Sequence, residues 1–131
     1  MFDLKTKILA VEDAESIRVM MVKSLNELGF LDIIQAENGK IGFDLLMNEK
    51  PKVGLILSDW NMPVCNGLEF LKLVRATPGF DEIPFVMVTS NDELKHTLTA
   101  VKEGVSNFIV KPFTTKVLRE KLKAISNKRL D

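Results

Sequence analysis

The chain has 131 residues, of which 46% are hydrophobic and 27% charged, a composition typical of one globular domain. Eighteen basic and eighteen acidic side chains cancel, which argues against binding to nucleic acid or to an anionic membrane through overall charge. Apolar runs such as Ile8 to Val11 and Phe85 to Val88 are far too short to cross a bilayer. The N-terminus lacks the apolar stretch of a secretory signal, and the one cysteine, Cys65, cannot form an internal disulfide. We therefore expect a cytoplasmic domain.

Short apolar or β-branched runs alternate along the chain with longer stretches of helical period. Five runs predict strands, and they span Lys7 to Val11, Asp32 to Ala36, Val53 to Ser58, Phe85 to Thr89 and Asn107 to Val110. Each run is followed by a stretch that predicts a helix. Three of the strands are apolar on both faces, which is typical of parallel strands covered by helices on each side. Five such pairs predict an α/β fold with a five-stranded, doubly wound parallel sheet as one domain over residues 1–131.

Apolar spacing and capping residues define the first three helices. The first ends at Gly29 in a left-handed cap, and its inward positions are Ile17, Met20, Met21, Leu25 and Leu28. The second spans about Gly39 to Asn48. The third begins with the capping pair Asn66 and Glu69, and its inward positions are Leu68, Leu71 and Val74.

The last two helices are predicted in the same way. The fourth starts near Asn91 or Asp92 and stops at Gly104. The fifth starts near Thr114 or Thr115, and its inward positions are Val117, Leu118, Leu122 and Ile125. From Lys111 to Asp131 the chain carries seven basic and two acidic residues, which favours a solvated helix face, with a partner-binding face as the alternative.

Polar residues follow four of the five predicted strands, at the point where each strand ends. They are Glu12 and Asp13, Asp59, Thr89 and Ser90, and Lys111 with Pro112. The carboxyl ends of parallel strands share one edge of the sheet, and ligands bind there. Three carboxylates that meet at this edge would raise the pKa of at least one of them unless a cation neutralises them.

Magnesium suits such a site because it prefers oxygen ligands and keeps part of its hydration shell, which leaves a position for a phosphoryl oxygen. Lys111 adds a positive charge and Thr89 adds a hydroxyl donor. Together with the metal they can hold the phosphoryl oxygens while Asp59 attacks in line and forms an acyl phosphate. The pattern therefore predicts phosphoryl transfer to a carboxylate.

The chain resembles, over its whole length, the receiver domain of two-component response regulators. The segments that carry the resemblance are Glu12-Asp13, Ser58-Asp59-Trp60-Asn61-Met62-Pro63 with Gly67, Thr89-Ser90 and Lys111-Pro112-Phe113. The resemblance implies a flavodoxin-like sheet of order 2-1-3-4-5 and a receiver without an output domain.

The resemblance also assigns roles to individual residues. It implies that Asp59 accepts the phosphoryl group, and that Asp13, Asp59 and the backbone carbonyl of Asn61 bind Mg²⁺, with Glu12 acting through water. Lys111 would contact the phosphoryl group, and the Lys111–Pro112 peptide bond would be cis. Thr89 would follow the phosphoryl group and let Phe108 rotate inward.

Within this family the stretch around Asp59 is most similar to the stand-alone chemotaxis regulators. Glu12 stands where those proteins usually have Asp, a change that should preserve metal binding. Phe108 stands where they have a Tyr, so a switch of the aromatic ring can persist but a hydrogen bond of the hydroxyl cannot.

The resemblance implies a switch that acts by binding and catalyses only its own phosphorylation and dephosphorylation. A histidine kinase would supply the phosphoryl group, and a phosphatase is a further expected partner. The output face would lie on the fourth helix, fifth strand and fifth helix, and it would include Leu94, Lys95, Phe108, Val110 and Lys121. We expect a monomer that binds a flagellar motor switch protein or another signalling protein, and neither nucleic acid nor a membrane.

Two other functions stay open. A phosphorelay receiver or phosphate sink would use the same site with different partners. A phosphohydrolase of the haloacid-dehalogenase type also uses an Asp at a strand end, but it needs a second acid two residues later. Asn61 stands at that position and cannot act as a general acid.

Two further residues were considered as functional candidates. His96 lacks a second ligand at metal-binding spacing and is predicted to be a surface residue, and Cys65 is predicted to be incidental.

Overall fold

The computed structural model describes residues 2–49, 52–90 and 96–129, and in this part of the chain strands and helices alternate. The strands are β1 (Ile8–Val11), β2 (Ile33–Ala36), β3 (Leu55–Asp59), β4 (Phe85–Thr89) and β5 (Asn107–Val110). The helices are α1 (Glu15–Glu27), α2 (Gly39–Asn48), α3 (Gly67–Ala76), α4 (Thr97–Lys102) and α5 (Thr115–Arg129). The strands form one parallel sheet of order β2-β1-β3-β4-β5, which confirms the predicted fold class and strand order.

The core lies on both faces of this sheet because the side chains of β1, β3 and β4 point alternately to either side and all are buried. Leu9, Ile56 and Met87 pack on the face covered by α2, α3 and α4. Ile8 and Leu57 pack on the opposite face, against α1 and α5. The sheet is therefore doubly wound, and its carboxyl edge is left open between the two helical layers.

Most element boundaries agree with the predictions, and α2 agrees at both ends. Gly29 has φ +101° and ends α1 as predicted, while Asn66 and Glu69 form the predicted capping box at α3. The strands β1, β2 and β3 begin one or two residues later than predicted, and β3 includes Asp59, which pairs with Val88. The predicted start of α4 at Asn91 or Asp92 lies outside the described residues.

Two predicted inward positions are wrong. The side chain of Met20 is 58% exposed and that of Val117 is 38% exposed. At about 100° per residue, both lie more than a quarter turn from the centre of the buried stripe of their helix, so they fall outside it. In α1 the buried positions are Met21 and Leu25. None of the helices in the described ranges is long and apolar enough to span a bilayer.

Candidate functional site

The carboxyl edge of the sheet carries an open cleft of about 410 Å³. Residues from four strand ends line it, together with the start of α1, and they are Glu12, Asp13, Ala14, Ile17, Asp59, Asn61, Ser90 and Lys111. Five residues that the sequence predicted for the metal and phosphoryl site therefore share one cleft. Two predicted residues, Thr89 and Phe108, do not line it.

Lys111 bridges two buried carboxylates at the floor of the cleft. Its Nζ lies 3.2 Å from Glu12 Oε1 and 3.0 Å from Asp59 Oδ1. Glu12 is 1% exposed and Asp59 is 2% exposed, so the ammonium group neutralises negative charge that water screens weakly. The backbone N–H of Lys111 donates to the carbonyl of Thr89 at 2.7 Å, and the Lys111–Pro112 peptide bond is cis.

The pKa of Glu12 is raised from 4.5 to about 8. Burial is the largest cause, followed by hydrogen bonds to Asp59 and Asp13 and by the charge of Asp59, while Lys111 acts in the opposite direction. Burial also lowers the pKa of Lys111, but hydrogen bonds and charge from Asp59 and Glu12 outweigh it and hold the pKa above its ordinary value. The pKa of Glu12 is therefore raised mainly by burial and further by the neighbouring carboxylates, of which the sequence predicted only the second cause.

The acidic cluster fits a hard divalent cation. Glu12, Asp13 and Asp59 each bring one carboxylate oxygen within 4.8 Å of the other two. Glu12 and Asp59 are buried and Asp13 is exposed, so the cluster is open to the cleft on one side. An all-oxygen donor set with an open side is what Mg²⁺ prefers, since this ion keeps several water ligands. Asn61 lines the same cleft and is exposed.

Asp59 is held in place by the loop that follows it. The backbone N–H of Trp60 donates to Asp59 Oδ1 at 2.8 Å, and the N–H of Gly67 donates to the carbonyl of Trp60 at 2.8 Å. A Cβ at Gly67 would collide with the backbone carbonyl of Asp59. Only glycine therefore lets the start of α3 approach the end of β3 this closely. This role of Gly67 was not predicted from the sequence, in which a glycine directly after the cap Asn66 was the available signal.

Thr89 and Phe108 belong to β4 and β5 and are not among the residues that line the cleft. Thr89 is fully buried at the end of β4, and its Oγ1 donates to the carbonyl of Ser90 at 3.3 Å. Phe108 is half-buried in β5, where it pairs with Met87 and packs against the core. Among the other predicted residues of the output face, Leu94 and Lys95 lie outside the described residues.

The two remaining candidates, His96 and Cys65, lie in different environments. His96 is exposed, as predicted, and its ring stacks on that of Trp60 at 6.1 Å between centroids. Cys65 is buried, burial raises the pKa of its thiol, and its carbonyl accepts a hydrogen bond of 3.1 Å from the N–H of Gly39. Cys65 is therefore a packing residue between α2 and α3, and the prediction that it is incidental is wrong.

A second, apolar pocket of about 260 Å³ opens beside the cleft. Its lining residues are Ile17, Met20, Met21, Ser24, Lys111, Pro112 and Phe113. Ile17 and Lys111 line both the pocket and the cleft. Met20, which is 58% exposed, therefore lines a pocket that adjoins the cleft, a relationship that the helical period of α1 did not reveal.

Comparison with known proteins agrees with this arrangement. Residues 8–123 match the family model of the response regulator receiver domain. The chain belongs to this receiver family.

Within the family it is similar to CheY proteins. It is 44% identical over 120 residues to a chemotaxis protein CheY homolog of Campylobacter jejuni, covering 91% of each chain. It is 42% identical to chemotaxis protein CheY1 of Helicobacter pylori, covering 91% of this chain and 95% of the relative. Chemotaxis response regulator CheY4 of Vibrio cholerae has a similar structure, with a TM-score of 0.83 at 30% identity over 92% of this chain and 98% of that one.

Proposed function

We propose that this receiver takes a phosphoryl group from a histidine kinase onto Asp59 in a Mg²⁺-dependent reaction and then loses it by slow hydrolysis. The observation that carries the proposal is the contact of Lys111 with Asp59 and Glu12 in a cleft that also holds Asp13. A phosphoryl group needs positive charge on its oxygens and a nucleophile in line, and this cleft contains groups for both.

The chemistry balances without a further reactant. An Asp59 carboxylate oxygen attacks phosphorus, the bond from phosphorus to the imidazole nitrogen of the donor breaks, and the imidazole leaves with the electron pair. Lys111 moves its hydrogen bond from Asp59 to a phosphoryl oxygen, so its positive charge stabilises the negative charge on the transferred group. Asp13, Asp59 and the carbonyl of Asn61, with Glu12 acting through water, would hold Mg²⁺, which would supply positive charge to neutralise the remaining negative charge.

The output of the switch is binding. Phosphorylation adds charge and acceptor oxygens beside Thr89, whose hydroxyl would turn from Ser90 toward them. That movement would leave space for Phe108 to rotate inward and reshape the face formed by α4, β5 and α5. Because its relatives are chemotaxis proteins, we assign this chain to chemotaxis signalling, with a flagellar motor switch protein as the target.

The same proposal includes a monomeric state and a cytoplasmic location, where the kinase obtains its phosphoryl group from ATP. The apolar pocket at Met20 and Phe113 is the surface that a phosphodonor protein would cover, because it adjoins the cleft and shares Lys111 with it. A protein that delivers a phosphoryl group to Asp59 must lie over this edge of the sheet.

One experiment tests the central step. The protein is incubated with Mg²⁺ and acetyl phosphate, and intact mass is expected to show one added phosphoryl group that is absent in Asp59→Asn and in the presence of a chelator. A phosphoryl group retained by Asp59→Asn would place the acceptor elsewhere. Turnover of a phosphoester by catalytic amounts of protein would instead favour a phosphohydrolase.

The partner is tested separately. A pull-down with a flagellar switch component is expected to show binding that depends on phosphorylation of Asp59. If phosphorylation occurs without such binding, the chain is a phosphorelay receiver or a phosphate sink.

A further inference from the structure

Arg18, in the first turn of α1, contacts the backbone that carries the acidic pair. Its Nη1 donates to the carbonyl oxygen of Glu12 at 2.6 Å, and its Nε donates to Gln35 Oε1 at 3.2 Å. Neither contact was visible in the sequence, where Arg18 is one of many charged helix residues. We propose that Arg18 is a positioning residue that holds the peptide between Glu12 and Asp13 and thereby sets the affinity for the divalent cation.

Lys111 pairs with the side chain of Glu12 in the loop between β1 and α1, whereas the side chain of Arg18 binds the Glu12 backbone carbonyl. The backbone N–H of Glu12 donates to the carbonyl of Ala36 at 3.0 Å, which ties one side of Glu12 to β2. The cap residue of α1 is Ala14, which has no side-chain oxygen, and its N–H reaches Glu12 Oε2 at 3.4 Å. The carbonyl of Glu12 is thus held from the helix side by Arg18.

The position of this one peptide decides where two carboxylates point. Glu12 is buried and Asp13 is exposed, yet one carboxylate oxygen of each lies within 4.8 Å of the other and of a carboxylate oxygen of Asp59. A small rotation of the Glu12–Asp13 peptide would separate these oxygens. Groups that orient metal ligands without touching the metal typically change metal affinity by about tenfold to a hundredfold when removed.

Charge alone predicts the opposite effect. Arg18 brings a positive charge near the acidic cluster, so removing it should strengthen cation binding if its role were only electrostatic. A positioning role predicts weaker binding. The sign of the change in Mg²⁺ affinity therefore distinguishes the two roles.

The inference rests on the proposed function, and the test separates the two. Mg²⁺ alone is titrated calorimetrically into the metal-free wild type, Arg18→Gln, Arg18→Lys and Gln35→Ala, with Lys23→Ala, an exposed cation on the same helix, as the control. We expect Arg18→Gln to weaken Mg²⁺ binding by about tenfold, Arg18→Lys and Gln35→Ala by less, and Lys23→Ala not at all.

Phosphorylation by acetyl phosphate supplies a second readout. If Arg18 acts through the metal site, Arg18→Gln needs about tenfold more Mg²⁺ for half-maximal rate but approaches the wild-type rate at saturating Mg²⁺. Unchanged or tighter Mg²⁺ binding in Arg18→Gln would overturn the inference. A wild type that neither binds Mg²⁺ nor accepts a phosphoryl group would overturn the proposed function instead.

Discussion

Lys111 Nζ and Asp59 Oδ1 are 3.0 Å apart although 52 positions separate the two residues in the chain. In the proposed function, this ammonium group transfers its hydrogen bond from the Asp59 carboxylate to an oxygen of the phosphoryl group that Asp59 accepts. The same ammonium contacts Glu12 at 3.2 Å, so among the residues that the structure describes Lys111 is the cation that contacts both buried acids of the cleft.

Removing this cation is expected to affect both chemistry and output. Lys111→Ala should lower the initial rate of phosphorylation by acetyl phosphate by about tenfold or more, because a positioned donor to the developing negative charge is lost. Intact mass over time measures the rate. Affinity of the phosphorylated variant for its partner should also fall. Unchanged phosphorylation together with unchanged partner affinity would contradict the role assigned to Lys111.

Magnesium binding is expected to depend on pH through Glu12. Since its pKa is about 8 in the metal-free fold, Glu12 is protonated below that value and Mg²⁺ must displace the proton. The affinity for Mg²⁺ should therefore rise between about pH 6 and 8 and level off above pH 8. The emission of Trp60, the single tryptophan of the chain and the neighbour of Asp59, can follow the titration.

Metal-free stability is expected to change in the opposite sense. The raised pKa of Glu12 means that the folded state retains a proton that the unfolded chain releases, so this contribution is complete below about pH 4.5 and is lost as pH rises through 8. Glu12→Gln should flatten the pH dependence of both Mg²⁺ affinity and stability. Glu15→Gln, which changes an exposed acid in α1, should preserve them.

The apolar pocket predicts selectivity between phosphodonors. Met20→Lys should slow phosphotransfer from the cognate histidine kinase by about tenfold, because it places a charge where the partner would bury an apolar surface, and should leave phosphorylation by acetyl phosphate unchanged. The matched control is Val19→Lys, since Val19 is 56% exposed on the same helix and does not line the pocket. Equal losses in both variants would show that the pocket has no special part in docking.

The loop after Asp59 carries backbone strain at Val64. This residue has φ +69° and is 77% exposed, and a β-branched side chain disfavours the left-handed region by about 1–2 kcal/mol. Val64→Gly should raise the free energy of unfolding by about 1 kcal/mol in urea titrations, and Val64→Asn should also raise it. Val64→Ala keeps a Cβ and should gain less. A loss of stability in Val64→Gly would mean that the loop is not strained.

The helical spacing and capping residues predicted the elements well because both signals act within a few residues. Asn66 and Glu69 cap α3 as their spacing indicates, and Gly29 ends α1. The position of Met20 was predicted wrongly because spacing defines an apolar stripe on a helix but not how much of that stripe the neighbouring helices cover. Cys65 was predicted to be incidental from its sequence neighbours alone, whereas its hydrogen-bond partner Gly39 belongs to α2, which is remote in sequence.

The amino-acid sequence alone determined that five strands, each followed by a helix, form a parallel sheet. It also determined that acids, a hydroxyl and a lysine lie at the ends of these strands. These features are local, and the rule that parallel strands share one carboxyl edge brings them together. Only the tertiary structure decided that Lys111 bridges Glu12 and Asp59, that the pKa of Glu12 is about 8, and that Arg18 binds the Glu12 carbonyl. Those properties depend on distances between remote residues and on exclusion of water, which strand register and packing create.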